Sequence, residues 1–179
     1  MFSPTTATLV LGEPEAALVD TQYLPDDLDA ISRQFEESGC LVITISLTHG
    51  HFDHYFRLQS LLTRFPEATA IAAPAVAADI ARNIDGHRAR QEFLPPGTTV
   101  DNDVVPRARE TPNFSVDGVE LHIIELPQVD VSPIAAIHIP NLETAVCGDA
   151  INNGIIRCSL RPRRTLGPNG CSASISSRS

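Results

Sequence analysis

The sequence predicts an α/β layered domain, and three observations carry that prediction. A nearly continuous apolar run, Cys40 to Leu47, suits a strand buried on both faces. The first 84 residues alternate strand-like and helix-like segments. From Asn113 to Cys147 the pattern changes to paired strands separated by turn residues.

The elements follow in order. Thr8–Leu11 and Ala16–Asp20 are short β-like runs around Gly12-Glu13-Pro14-Glu15, which reads as a hairpin. Pro25, Asp26 and Asp27 open a helix with Leu28, Ile31 and Phe35 on one face, and Gly39 closes it. The buried strand to Leu47 comes next, then a cluster of histidines. Leu58, Leu61, Leu62 and Phe65 have helical spacing, ended by Pro66. Thr69–Ala73 reads as a second buried strand and Pro74–Ile84 as a helix. Residues 86–112 show no clear period, with Pro95-Pro96-Gly97 as a turn signal, so a long functional loop is expected there. Asn113–Val116 and Val119–Leu126 pair around Asp117-Gly118, and Ile134–Ile139 pairs with Glu143–Cys147 around Pro140-Asn141.

Composition bounds the rest. With 179 residues the chain has room for one domain and one core. A net charge of −9 argues against nucleic-acid or anionic-membrane partners; the partner expected is a small-molecule substrate. All 13 basic residues are Arg, and 5 of them lie from Arg157 onward, where no acid occurs. That Arg/Ser-rich segment, 157–179, lacks apolar periodicity and is expected to be disordered, leaving 1–156 as the domain. No secretory signal opens the chain and no apolar stretch approaches a membrane span. The 4 cysteines lack paired spacing, so reduced thiols and a cytoplasmic location are expected. Oligomeric state is not legible.

The chemistry concentrates in one turn. His49-Gly50-His51-Phe52-Asp53-His54 gathers three of the six histidines and a carboxylate directly after the buried strand. Residues two apart in an extended loop point the same way, so His49 and His51 can grip one ion. Asp53 and His54 begin the next helix and are expected to face the other side, towards a second ion. Imidazole and carboxylate donors suit Zn²⁺, with Fe or Mn as alternatives. Asp149, just past the carboxyl end of a strand, is placed to bridge two ions. An ion pair of this kind lowers the pKa of a shared water and polarises a carbonyl or phosphoryl oxygen. His122 and His138 sit in alternating strands and read as solvent-facing, and His87 lacks a ligand pattern.

Thr48 to His54 resembles the signature loop of the metallo-β-lactamase superfamily. Cys147-Gly148-Asp149 resembles its later Asp motif, and Ala17-Leu18-Val19-Asp20 its early strand ending in Asp. The similarity runs from about Ala7 to Ile156. It implies an αββα sandwich with two metal sites: His49 and His51 in the first, Asp53 and His54 in the second, Asp149 bridging. Asp53 would also orient the nucleophilic water. Two departures stand out. Gln128 occupies the place where the family usually has a further His, with Asp130 nearby, and no His follows His138. The fold is therefore expected to be incomplete at its C-terminal part. The implied activity is a metal-dependent hydrolase in which a metal-bound hydroxide attacks an ester, thioester, lactone or lactam carbonyl. A truncated, impaired metal-binding relative and a mononuclear-iron dioxygenase-like member stay open as alternatives.

Overall fold

The computed structural model describes residues 5–89, 104–127, 129 and 131–151. Two sheets organise it. The first has five strands: β1 (Thr8–Leu11), β2 (Glu15–Val19), β3 (Leu41–Leu47), β4 (Thr69–Ala72) and β5 (Arg107–Ala108), side by side in that order. β1 and β2 form the expected antiparallel hairpin, and the remaining pairs are parallel. The second sheet is an antiparallel meander of β6 (Asn113–Val116), β7 (Val119–Glu125), β8 (Ala135–Ile139) and β9 (Thr144–Val146).

Among the described residues four α-helices connect the strands of the first sheet: α1 (Pro25–Ser38), α2 (Phe52–Tyr55), α3 (Leu58–Arg64) and α4 (Pro74–Ala89). In α1, Pro25 occupies the first turn with Asp26 and Asp27, where a fixed φ and negative charge suit the helix start. Gly39 ends it in the left-handed region, its N–H donating to the Glu36 carbonyl. Ile31 and Phe35 are the buried stripe, and the Phe35 ring meets Phe65 edge-on at 5.5 Å.

One core joins both sheets and the helices: Leu18, Ile45 and Leu47 from the first sheet, Leu121, Ile123 and Ile137 from the second, Leu58, Leu61 and Ile80 from the helices. In β3 all residues from Thr44 to Leu47 are buried, as a strand sandwiched between layers requires. β7 instead alternates, with Leu121 and Ile123 inside and Glu120 and Ile124 exposed. Among the described residues no α-helix follows Ala89.

Two expectations need correcting. α4 does not stop at Ile84 but runs to Ala89, carrying Gly86 inside it and placing His87 on its last turn. The segment read as irregular from 86 to 112 also contains β5, which pairs parallel with β4 through Ile71–Arg107 and Ala72–Ala108. Two exposed residues held by backbone pairing leave no apolar period to detect. Residues 90–103, Gln128, Asp130 and the tail 157–179 lie outside the described residues.

The two hairpin turns interlock. The Asp117 carboxylate accepts the backbone N–H groups of Glu13 and Glu15, and Glu15 Oε2 accepts the Asp117 N–H at 2.7 Å. A Cβ on Gly12 would collide with the Asp117 carboxylate, so this tie between the sheets requires glycine there. Gly12→Ala is expected to lower stability by roughly 1 kcal/mol, read as a lower melting temperature by circular dichroism.

Candidate metal centre

The histidine turn is built where β3 ends. Thr48 and His49 continue the strand direction, fully buried, and reach across to the second sheet. The Thr48 carbonyl accepts the Ala135 N–H at 2.8 Å, and His49 bridges to Ile134. The loop then passes Gly50, where a Cβ would lie 2.6 Å from Asp79 Oδ2 of α4. Glycine allows that close approach. His51 takes extended geometry as the residue before α2, and Asp53 and His54 fall within that short helix.

Behind the turn sits Asp20, just past β2. Its φ of 62° is unusual for a side-chain-bearing residue, and strain of this kind gathers at functional sites. The bend aims its carboxylate inward, at 1% exposure. Oδ1 accepts the Thr48 N–H at 2.8 Å; Oδ2 accepts the Thr48 hydroxyl at 2.8 Å and faces His54 Nδ1 at 3.0 Å. Thr48 Oγ1 in turn lies 3.0 Å from His49 Nδ1. The Nδ1 side of both rings is thus anchored from behind.

The Nε2 sides point the other way, towards Asp149 in the 3-10 turn Gly148–Ala150 after β9. His49 Nε2 is 3.5 Å from Asp149 Oδ2 and His54 Nε2 is 3.3 Å from Oδ1. Both nitrogens are buried and lack a partner in hydrogen-bonding geometry. Gly148 has φ of 48°, and a Cβ there would strike the Thr48 hydroxyl, so glycine lets Asp149 close on the histidines. Gly148→Ala is expected to lower Zn²⁺ affinity at least about tenfold by displacing Thr48 and Asp149, measured by chelator competition.

Two sets of side chains place ligand atoms within 4.8 Å of one another: Asp20, His49 and His54, and His49, His51 and Asp149. In the first set Asp20 is already engaged by Thr48 and His54, so it acts as an orienting group. The second set, with His54 Nε2 alongside, turns its donor atoms towards one point on the open side of the turn. Buried imidazole nitrogens facing a carboxylate are the donor chemistry that Zn²⁺ takes. The residues fit a metal.

Of the sequence-predicted residues, His49, His51, His54 and Asp149 come together. The His54 ring lies 4.1 Å from His49 and the His51 ring 4.8 Å, so His54 is not turned away to the far side of the loop. Asp53 stands further off, 4.0 Å from His54 Nε2, and belongs to neither set. Thr48 and the anchoring role of Asp20 went unread, because a Thr before a His and an Asp after a strand look ordinary until folded together. His87 is an anchor: its Nδ1 is 2.8 Å from the Tyr55 hydroxyl, joining α2 to α4. His122 and His138 pair across β7 and β8 with rings 5.9 Å apart, and His122 is half-exposed.

Charge in the metal-free site follows from this packing. Burial opposes a proton on His54, but Asp149 and Asp20 on its two sides outweigh it and hold its pKa up at about 10. The His49 and His54 rings hold the Asp149 carboxyl far below the usual range, against its own burial. Desolvation, then the neighbouring His49, pushes His51 down. An ion entering must displace the His54 proton. Zn²⁺ affinity is therefore expected to rise with pH until it levels off above about 10, with proton release on uptake measurable in weak buffer.

The model of the metallo-β-lactamase superfamily matches residues 1–171. The chain belongs to the metallo-β-lactamase superfamily. Solved superfamily structures share its fold. The Rm3 metallo-β-lactamase is 25% identical with a TM-score of 0.56, over 74% of this chain and 49% of that one. The BLEG-1 B3 metallo-β-lactamase is 14% identical with a TM-score of 0.58, over 79% and 65% respectively. GOB-18 from Elizabethkingia meningoseptica is 15% identical with a TM-score of 0.57, over 74% and 48%. The chain thus spans about half the length of Rm3 and GOB-18. No curated protein sequence matches it. Among the described residues no helix is long and apolar enough to cross a membrane.

Proposed function

We propose that this metallo-β-lactamase superfamily chain is a zinc-dependent hydrolase of small ester, thioester, lactone or lactam substrates. The observation that carries the reading is the convergence of two buried imidazole nitrogens, His49 Nε2 and His54 Nε2, on the Asp149 carboxylate. His51, exposed at the mouth, completes the ligand atoms on the open side. When bound, Zn²⁺ would lower the pKa of a water and polarise a carbonyl oxygen. The protein's own part is to hold that chemistry in place. His49, His51, His54 and Asp149 would carry the ion, and Asp53, with a partly exposed carboxylate beside His54, would orient the attacking water and take its proton. The structures that resemble the chain carry the name metallo-β-lactamase, which supports including lactams among the candidate substrates. The net charge of −9 disfavours phosphate-rich polymers.

The test is elemental analysis after dialysis against Zn²⁺, followed by turnover of nitrocefin and a thioester panel with and without chelator. Bound zinc with chelator-sensitive turnover supports the reading. Bound zinc with no turnover would make the chain a binding-only relative, and no bound zinc would end the metal assignment.

A further inference from the structure

We infer that Glu120, His122 and His138 form a second cation site, on the face of the second sheet turned away from the core and separate from the histidine turn. It takes one divalent transition-metal ion of the Zn²⁺ or Cu²⁺ kind and clips β7 to β8.

Strand register places the donors. His122 of β7 and His138 of β8 are direct cross-strand partners, and Glu120 lies two residues before His122 on the same strand. Residues two apart on a strand share a face, as do cross-strand partners, so all three side chains leave the sheet on one side. Leu121, Ile123, Ile137 and Ile139 leave it on the other and enter the core. Among the described residues the shared face is open: the His122 side chain is 43% exposed and that of Glu120 57%. Asn113 of β6 and Ala145 of β9 continue the row beyond the two histidines, so no positive side chain stands in it. Two imidazoles on one ion, each nitrogen about 2.0–2.1 Å from the metal, have ring centres roughly 5–6 Å apart. The His122 and His138 rings are 5.9 Å apart, inclined at 62°. Two donor atoms on one tetrahedral ion are separated by about 3.4 Å. His122 Nε2 and Glu120 Oε1 are 3.2 Å apart. Both spacings meet at His122, which thus has one donor beside it along the strand and another across from it. Two imidazoles and a carboxylate suit Zn²⁺ or Cu²⁺ better than Mg²⁺ or Ca²⁺, which take oxygen donors, and water completes the shell. β7 and β8 are the central strands of the second sheet, so the ion ties its middle and stabilises the folded chain by mass action.

The site shares no residue with the histidine turn, so the two stand or fall separately. The test titrates Zn²⁺ alone into the full ¹⁵N-labelled chain at pH ~8, above the ordinary imidazole range. Side-chain ¹H–¹⁵N spectra follow all six histidines, assigned by backbone-to-ring correlations and checked by signal loss in His122→Gln and His138→Gln. The expected result is that the His122 and His138 rings shift together and saturate with one ion, beyond any taken up by the turn. In His122→Gln the His138 ring should cease to respond, with affinity at this site lowered at least about tenfold. Glu120→Gln should weaken it by a smaller factor. The rise in melting temperature on adding Zn²⁺ should be smaller in His122→Gln than in the wild type. No movement of the two rings at millimolar Zn²⁺, movement of one without the other, or a His138 response that survives His122→Gln overturns the inference. What remains is then a His–Glu hydrogen bond beside a packed ring. If a variant does not fold, the paired response of the wild type still decides. Shifts confined to His49, His51 and His54 would uphold the metal centre and end this second site. Shifts confined to His122 and His138 would do the reverse.

Discussion

Replacing His54 with Ala is expected to destabilise the metal-free chain by about 3–5 kcal/mol and to remove tight zinc binding. The side chain is 2% exposed and stands between two carboxylates, 3.0 Å from Asp20 and 3.3 Å from Asp149. Taking it away leaves Asp20 buried with no cationic partner, the costly half of a broken ion pair. The sign follows from the raised pKa of His54. Its contribution to metal-free stability is fully present below an unfolded value of 6.5 and fades as pH rises through about 10. Urea unfolding at two pH values measures this. The loss should shrink from pH ~7 to pH ~10.5. His51→Ala makes the contrast, because that ring is exposed: stability should change by less than about 0.5 kcal/mol while zinc affinity falls. Equal losses of stability in the two variants would contradict the anchoring described for His54.

Leu47→Ala is expected to cost about 2–5 kcal/mol, independent of pH and of metal. Leu47 is the last residue of β3, fully buried and in register with Ala72 of β4, so truncation opens a cavity in the shared core. It also directly precedes Thr48 and His49, and relaxation into the cavity would pull on the turn that carries the site. Denaturant unfolding should show a lower midpoint with an unchanged slope, the mark of lost stability without altered compactness. A change under about 1 kcal/mol would show that the strand end is not packed as described.

Much of this was legible beforehand, and the reasons differ by element. The buried strand β3, the hairpin at Gly12 to Glu15 and the helix from Pro25 to Gly39 announce themselves because their cause is local: an apolar run, turn residues, a cap. The His-x-His-x-Asp-His spacing is equally local, and it named His49, His51 and His54, which the fold gathers around Asp149, while its Asp53 stands further off. β5 was not legible, since its two exposed residues are held by pairing with β4 alone. The extension of α4 past Ile84 hid behind Gly86, which reads as a stop until Tyr55 is seen to hold His87 from the other side. The Asp20–Thr48–His49 chain was hidden because it depends on residues far apart in sequence meeting across a positive-φ bend.

The placement of Asp149 bears on how the chain matures. The histidines come from the first third of the sequence, yet the carboxylate that faces them arrives only after β9 has been laid against β8. No early-folding fragment holds the whole donor set. Both sheets must be assembled before these donors stand together, so a cation held by all of them would bind the folded chain and report on its completion.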